Sequence, residues 1–234
     1  MAAHVRTVMM TGAAGNLGRC VAASFHASGA NLVLVDLRRE SLANAFGTED
    51  ERRLFAPANL LEQTQVNTAV KAAIERFGRI DVLCNLAGGF RMGEAVHETA
   101  DANWDFLFDL NGRTLLHAVR AVVPGMLERG GGKIVNVAAF AARQGLARMG
   151  AYCAAKATVI RLTEAMAAEL RDQHINVNCV LPTIIDTPEN RAEMPDADPA
   201  RWVAAQDLAN VIFFLASDAA RAIHGAALPV TALS

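Results

Sequence analysis

The sequence has no pair of cysteines spaced CxxC and no cysteine–histidine grouping of the kind that holds zinc, because Cys20, Cys84, Cys153 and Cys179 stand far apart. That excludes a zinc ribbon or a redox dithiol and favours a reducing, cytoplasmic setting. No apolar run approaches the length of about 18 residues that a membrane span needs. "MAAHVRTVMM" likewise lacks the charged start and long apolar stretch of a signal peptide. Neither sign of charge dominates: 22 basic residues against 24 acidic ones leave a net charge of -2. No nucleic-acid partner is therefore expected, and the mixed-sign stretches "DLRRE" and "TEDERR" read as solvated faces or loops. Internal repeats and low-complexity segments are missing too. A last absence is local: "GKIVNVAAFAARQGLARMGAYCAAK", Gly132 to Lys156, contains neither serine nor threonine.

What is present is a chain of 234 residues, 53% hydrophobic, enough for one well-filled core and read as a single domain over 1–234. "VRTVMM", "NLVLVD", "RRLFAPA", "IDVLCNLAG", "KIVNVA", "INVNCVLP" and "AALPV" read as strands. Five longer stretches with helical spacing of apolar residues lie between them, from "LGRCVAASFHASG" to "AQDLANVIFFLASD". That alternation predicts an α/β doubly wound, Rossmann-type sheet of about seven parallel strands with helices on both faces. The densest cluster of chain breakers, "PTIIDTPENRAEMPDADPARW" at 182–202, reads as a loop or substrate lid at the C-terminal edge of the sheet.

"VMMTGAAGNLGR" places Gly12, Gly15 and Gly18 between a predicted strand and a predicted helix. Such a turn lets backbone approach a pyrophosphate, whose charge is stabilised by the amides and dipole of the helix start. Asp36 ends the second strand 24 residues after Gly12, where a carboxylate can accept from both hydroxyls of an adenosine ribose. It would repel a 2'-phosphate, so NAD(H) is favoured. NADP(H) stays possible because the guanidinium of Arg38 or Arg39 could accommodate that phosphate; the alternative is that both are exposed charges opening the next helix.

The dinucleotide turn, "NLAG", Asn111 and Tyr152-x-x-x-Lys156 occur in the order and spacing of the short-chain dehydrogenase/reductase family, which the chain resembles over essentially its whole length. "TGAAGNLG" resembles the family's TGxxxGxG, with Asn16 in place of the middle glycine. The resemblance implies that Gly12, Gly15, Asn16, Leu17 and Gly18 hold the pyrophosphate. Asn59 and Leu60 would stand near adenine, and Asn85, Ala87 and Gly88 by the ribose, with Asn85 also stabilising the sheet. "LPTIIDTP" resembles PGxIxTP, so Pro182, Ile185 and Thr187 would grip the carboxamide, although Thr183 replaces the glycine. Tyr152 would be the proton donor. A free tyrosine has a pKa of about 10, and the ammonium of Lys156, one helical turn away, would lower it and bind the nicotinamide ribose. Asn111 would hold a water linking Lys156 to solvent, at a local bulge in a long helix. A homodimer or homotetramer is implied, with the two longest helices as interface elements.

The family's serine, thirteen residues before the tyrosine, is here Ala139. Losing one donor to a developing oxyanion costs about 2.7–4 kcal/mol. Three readings follow: decay into a cofactor-binding regulatory protein, replacement by Arg143 or Gln144, or a substrate that does not need the hydroxyl. The segment "AxAAxxGxxxMxxY", Ala139 to Tyr152, together with the 182–202 lid, resembles the quinonoid dihydropteridine reductase branch, which carries alanine at that position. That implies reduction of a conjugated carbonyl or quinonoid imine; an ordinary ketone or 3-oxoacyl reductase is the alternative. In the lid, Asn190, Arg191, Met194 and Trp202 either cover the substrate or pack the lid on the body. His97, His117 and Cys153 read as structural, and no metal is expected.

Overall fold

Alternate residues of the first strand feed two different cores. The computed structural model describes residues 5–234. In it β1 (Thr7–Thr11) sends Met9 to one face of the sheet, and Val8 and Met10 to the other; all three are fully buried. β2 (Asn31–Val35) alternates in the same way, Val33 and Val35 against Leu32 and Leu34. Each such side chain taken out of water contributes about 1.5–3 kcal/mol. Burial on both faces explains why the strands read as nearly continuous apolar runs.

The other sheet members are β3 (Arg53–Phe55), β4 (Val82–Asn85), β5 (Gly132–Val137), β6 (Ile175–Pro182) and β9 (Ala227–Val230). β7 (Ile185–Asp186) and β8 (Val203–Ala204) pair separately. The large sheet is parallel in the order β3-β2-β1-β4-β5-β6-β9, so the strands predicted from sequence all take part. The order reverses beside β1, and that is where an open sheet of this kind forms its crevice, outside the C-terminal strand ends.

Helices α1 (Asn16–Ala27) and α8 (Ala205–Leu215) cover one face, with Phe25 and Phe213 tilted against each other at 5.0 Å. On the other lie α3 (Gln63–Phe77), α5 (Thr114–Glu128) and α6 (Gly150–Leu170). α4 (Asp101–Phe108) runs into α5 through a π turn, Asp109–Arg113, in which the Thr114 N–H reaches the Asp109 carbonyl. This is the bulge expected at Asn111.

One stretch follows the reading of Arg38 and Arg39 as opening a helix, and another is more ordered than the sequence suggested. α2 (Arg39–Phe46) occupies the mixed-charge region and buries only Leu42. The 182–202 segment is no open loop: it holds β7 and then α7 (Pro188–Glu193), and β8, directly after it, pairs back on β7 in parallel. Among the described residues no helix is long and apolar enough to cross a membrane.

Candidate active site

The glycines of the first turn are there because backbone touches backbone. Gly12 has φ +65°, and a Cβ on it would stand 2.9 Å from the backbone of Ala87. A Cβ on Gly18 would lie 2.4 Å from the Gly12 carbonyl oxygen, so α1 packs directly on the turn. Thr11, which the sequence reading passed over, fixes the same junction: its Oγ1 accepts from the N–H groups of Leu86 (3.1 Å) and Ala87 (3.2 Å). Gly15 is the N-cap of α1 and offers no side-chain cap. The first N–H groups of the helix, on Asn16, Leu17 and Gly18, therefore lack intrahelical acceptors and suit an anion. A cradle closed to any Cβ, opening on an uncapped helix start, fits a dinucleotide pyrophosphate. Across it, Asn16 Nδ2 donates to Glu189 Oε2 of α7 at 2.7 Å, joining turn to lid.

Asp36 lies at the end of β2, against that turn. Its Oδ2 accepts from the Ala14 N–H at 3.0 Å and its Oδ1 from the Leu37 N–H at 2.8 Å, which leaves each oxygen a lone pair for a ribose hydroxyl. Arg38 and Arg39 differ. Arg39 pairs with Glu49 and lies over the Phe55 ring, whereas exposed Arg38 makes no side-chain hydrogen bond or ion pair among the described residues. Asn59 closes its own turn, its Oδ1 accepting from the Leu61 N–H at 3.1 Å. The Leu60 carbonyl next to it is held at 2.8 Å by Nδ1 of buried His117 on α5. His117 thus anchors this loop, a role that only tertiary contact reveals.

Asn85 is buried and donates to Asn136 Oδ1 at 2.8 Å; Asn136 in turn donates to Thr163 Oγ1 of α6 at 2.9 Å. Its amide ties β4, β5 and α6 together, the sheet-stabilising half of its expected role. Asn111 is a clamp on the following loop: its Oδ1 accepts from the Gly89 N–H (3.1 Å), while Nδ2 donates to the carbonyls of Gly89 (3.0 Å) and Leu107 (2.9 Å). Both amide protons are used, and one Oδ1 lone pair remains for the water the sequence suggested. Lys156 Nζ donates to the Val137 carbonyl at 3.0 Å. Gly88 separates them, since a Cβ on it would stand 2.9 Å from Asn111 Oδ1 and 2.9 Å from Lys156 Nζ alike.

The electrostatics depart from the expected lowering of Tyr152. Burial, with a smaller push from Cys153, raises the phenol to about 12, and burial brings Lys156 down to about 8. The Tyr152 ring meets Phe90 edge-on at 4.8 Å. The phenol therefore keeps its proton at neutral pH and can act as a donor, and Lys156 is still mainly an ammonium there.

Ala139 is buried, in extended backbone after β5. Of the two suggested replacements, both Arg143 and Gln144 are exposed, and the Arg143 guanidinium lies over the Phe140 ring at 5.2 Å. In the lid, Thr187 caps α7 through its Oγ1, which accepts from the Asn190 N–H at 3.2 Å. Asn190 Nδ2 donates to the Ile185 carbonyl at 2.8 Å, and Arg191 forks onto Asp186 at 2.6 and 2.7 Å. Pro182 ends β6 just before. Trp202 is buried, so it packs the lid onto the body and does not offer its ring to a substrate.

A model of the short chain dehydrogenase family matches residues 6–198. The chain belongs to that family. As a short-chain dehydrogenase it is an NAD(P)-dependent oxidoreductase. It is 34% identical to the (2S)-[(R)-hydroxy(phenyl)methyl]succinyl-CoA dehydrogenase subunit BbsD of Thauera aromatica, over 96% of this chain and 94% of that one. D-threitol dehydrogenase of Mycolicibacterium smegmatis is 33% identical over 96% and 91%. Carveol dehydrogenase from Mycobacterium avium, solved in complex with NAD, superposes with a TM-score of 0.89 at 30% identity, covering 97% of this chain and 96% of that one.

Proposed function

We propose that this short-chain dehydrogenase reduces an already electron-poor acceptor, a conjugated carbonyl or quinonoid imine, with Tyr152 as proton donor and NADH favoured over NADPH. The observation that carries the proposal is buried, apolar Ala139 at the usual hydroxyl position. The nicotinamide, when bound, supplies the hydride. Tyr152 is the only tyrosine in the chain, so no second phenol can give the accompanying proton. Lys156, one helical turn on from Tyr152, would hold positive charge near the nicotinamide ribose, Asn111 fixes the Gly89 loop, and Pro182, Ile185 and Thr187 would frame the carboxamide side. An acceptor whose ring or chain already delocalises the incoming electron pair develops little oxyanion charge and so asks little of the missing donor.

The relatives' names favour a second reading: they describe dehydrogenases of a hydroxyl-bearing succinyl-CoA and of D-threitol, that is, of alcohols. Exposed Trp104, stacked on Phe108 at 4.3 Å on α4, supports self-association along the α4–α5 helix as a homodimer or homotetramer. The test of the activity is an acceptor panel run with NADH and NADPH, comparing wild type with Tyr152→Phe. Quinonoid and conjugated acceptors should turn over, and the variant should lose turnover but still bind NADH. A variant as fast as wild type would remove Tyr152 from the chemistry, and turnover of simple ketones alone would favour the second reading.

A further inference from the structure

The strand ends opposite the crevice carry a second concavity. Residues just before or at the start of β1, β4, β5 and β6 line a cavity of about 390 Å³. Those strands end at Thr11, Asn85, Val137 and Pro182, in the dinucleotide crevice, so the two hollows are separated by the length of the sheet.

Four cationic side chains, Arg6, Arg79, Arg129 and Lys133, line this cavity with His174, against two carboxylates, Asp81 and Asp218. The carboxylates are engaged: Asp81 accepts from Arg79 Nε at 2.6 Å and from the Thr7 N–H at 2.8 Å, and Asp218 lies 3.5 Å from Arg6 Nη2. Lys133 and Arg129 find neutral acceptors instead. Lys133 Nζ donates to Asn176 Oδ1 at 2.6 Å, and Arg129 Nη2 to the Ile80 carbonyl at 3.0 Å. Arg129 Nε is shielded from solvent with no acceptor among the described residues. Burial lowers the pKa of both; Arg79 adds to the effect on Arg129, where Asp81 and Glu128 oppose, and Arg6 and Arg221 add to it on Lys133, where Asp218 opposes. This is a surplus of positive charge that an anion would relieve. Gly130, between the two cations, has φ +68° and leaves the space beside it open, since a Cβ on it would meet nothing within 4 Å; a Cβ on Gly132 would instead strike Met126 at 2.5 Å.

We propose that this cavity is a binding site for a phosphate-bearing small molecule, separate from the dinucleotide crevice. Converging guanidinium and ammonium donors suit the oxygens of a phosphate, and guanidinium forks can engage two at once. The concavity is open to solvent and local, a small patch of surplus positive charge in a chain of net charge -2, which favours a small anion over an extended polyanion.

The experiment is calorimetric titration of inorganic pyrophosphate into protein saturated with NADH, so that the glycine-rich turn is already filled. We expect saturable binding that weakens about tenfold or more in Lys133→Met and again in Arg129→Gln, each removing one charge-assisted contact. NADH affinity and turnover should not change. Arg6→Gln provides a third variant, and thermal melts confirm that each one compared is folded. Absence of saturable binding overturns the proposal. So does heat that sodium chloride at equal ionic strength reproduces, or binding that these substitutions leave untouched.

Discussion

Asn111 and Lys156 converge on one point: the volume a Cβ at Gly88 would need, 2.9 Å from the Oδ1 of one and the Nζ of the other. Neither can yield freely. The Asn111 amide is fixed by three hydrogen bonds, and Lys156 Nζ is buried against the Val137 carbonyl. Gly88→Ala should therefore displace the ammonium, lowering turnover about ten- to a hundredfold and stability by about 1–3 kcal/mol. Steady-state kinetics beside a thermal melt checks this, and an unchanged kcat would show that the ammonium's position does not matter.

Lys156 carries a conflict between function and folding. Its folded-state pKa is depressed from 10.5 to about 8 by burial, so the fold disfavours the charged form. The penalty is complete below pH 8, amounts to about 3 kcal/mol, and disappears as pH rises towards the unfolded value. The bond to Val137 offsets about 1 kcal/mol of it. Lys156→Met should accordingly melt several degrees above wild type at pH 7, with the advantage shrinking between pH 8 and 10.5, while turnover is lost. A variant less stable at pH 7 would mean that the ammonium stabilises the fold.

Much of this was legible because the constraints were local. Strands buried on both faces must be apolar throughout, and Gly12 and Gly18 admit no side chain. α2 was legible only as the helix that the exposed charges of Arg38 and Arg39 open, because it buries a single residue, Leu42, and so shows no stripe. α7 buries none and depends on the Thr187 cap and the Asn16–Glu189 contact, both set by tertiary placement. Thr11 was missed, and His117 was read as structural without its partner, for a related reason: the residues they hold, Leu86, Ala87 and Leu60, lie 57 to 76 residues away in sequence. The bulge at Asn111 was anticipated, but its main use, holding Gly89, needs a neighbour that the chain order does not show.

Cofactor choice rests on Asp36 and Arg38. The carboxylate keeps a lone pair on each oxygen for the ribose, and Arg39 is already occupied by Glu49. NADH should bind about tenfold or more tighter than NADPH in a fluorescence titration, and Asp36→Ala should narrow the gap by removing both attraction and repulsion. Tighter NADPH binding in wild type would point to Arg38, the guanidinium without a partner, and Arg38→Ala should then abolish it.

Ala139→Ser decides what the missing hydroxyl means. Ala139 is extended, at φ -155° and ψ 152°, a backbone that serine adopts without strain. If the natural acceptor is already activated, the restored hydroxyl has little developing charge to stabilise and its reduction rate should change less than about threefold. Simple ketones should behave oppositely, starting slow and gaining about ten- to a thousandfold, because there the donor meets a full oxyanion. Rates for both classes, measured on one preparation with NADH, separate the readings. Wild-type protein that reduces ketones well and ignores conjugated acceptors would need another donor, and Arg143 and Gln144 would be the first residues to substitute. Tight NADH binding with no turnover of either class would instead leave a dinucleotide sensor, built on the same crevice but without its chemistry.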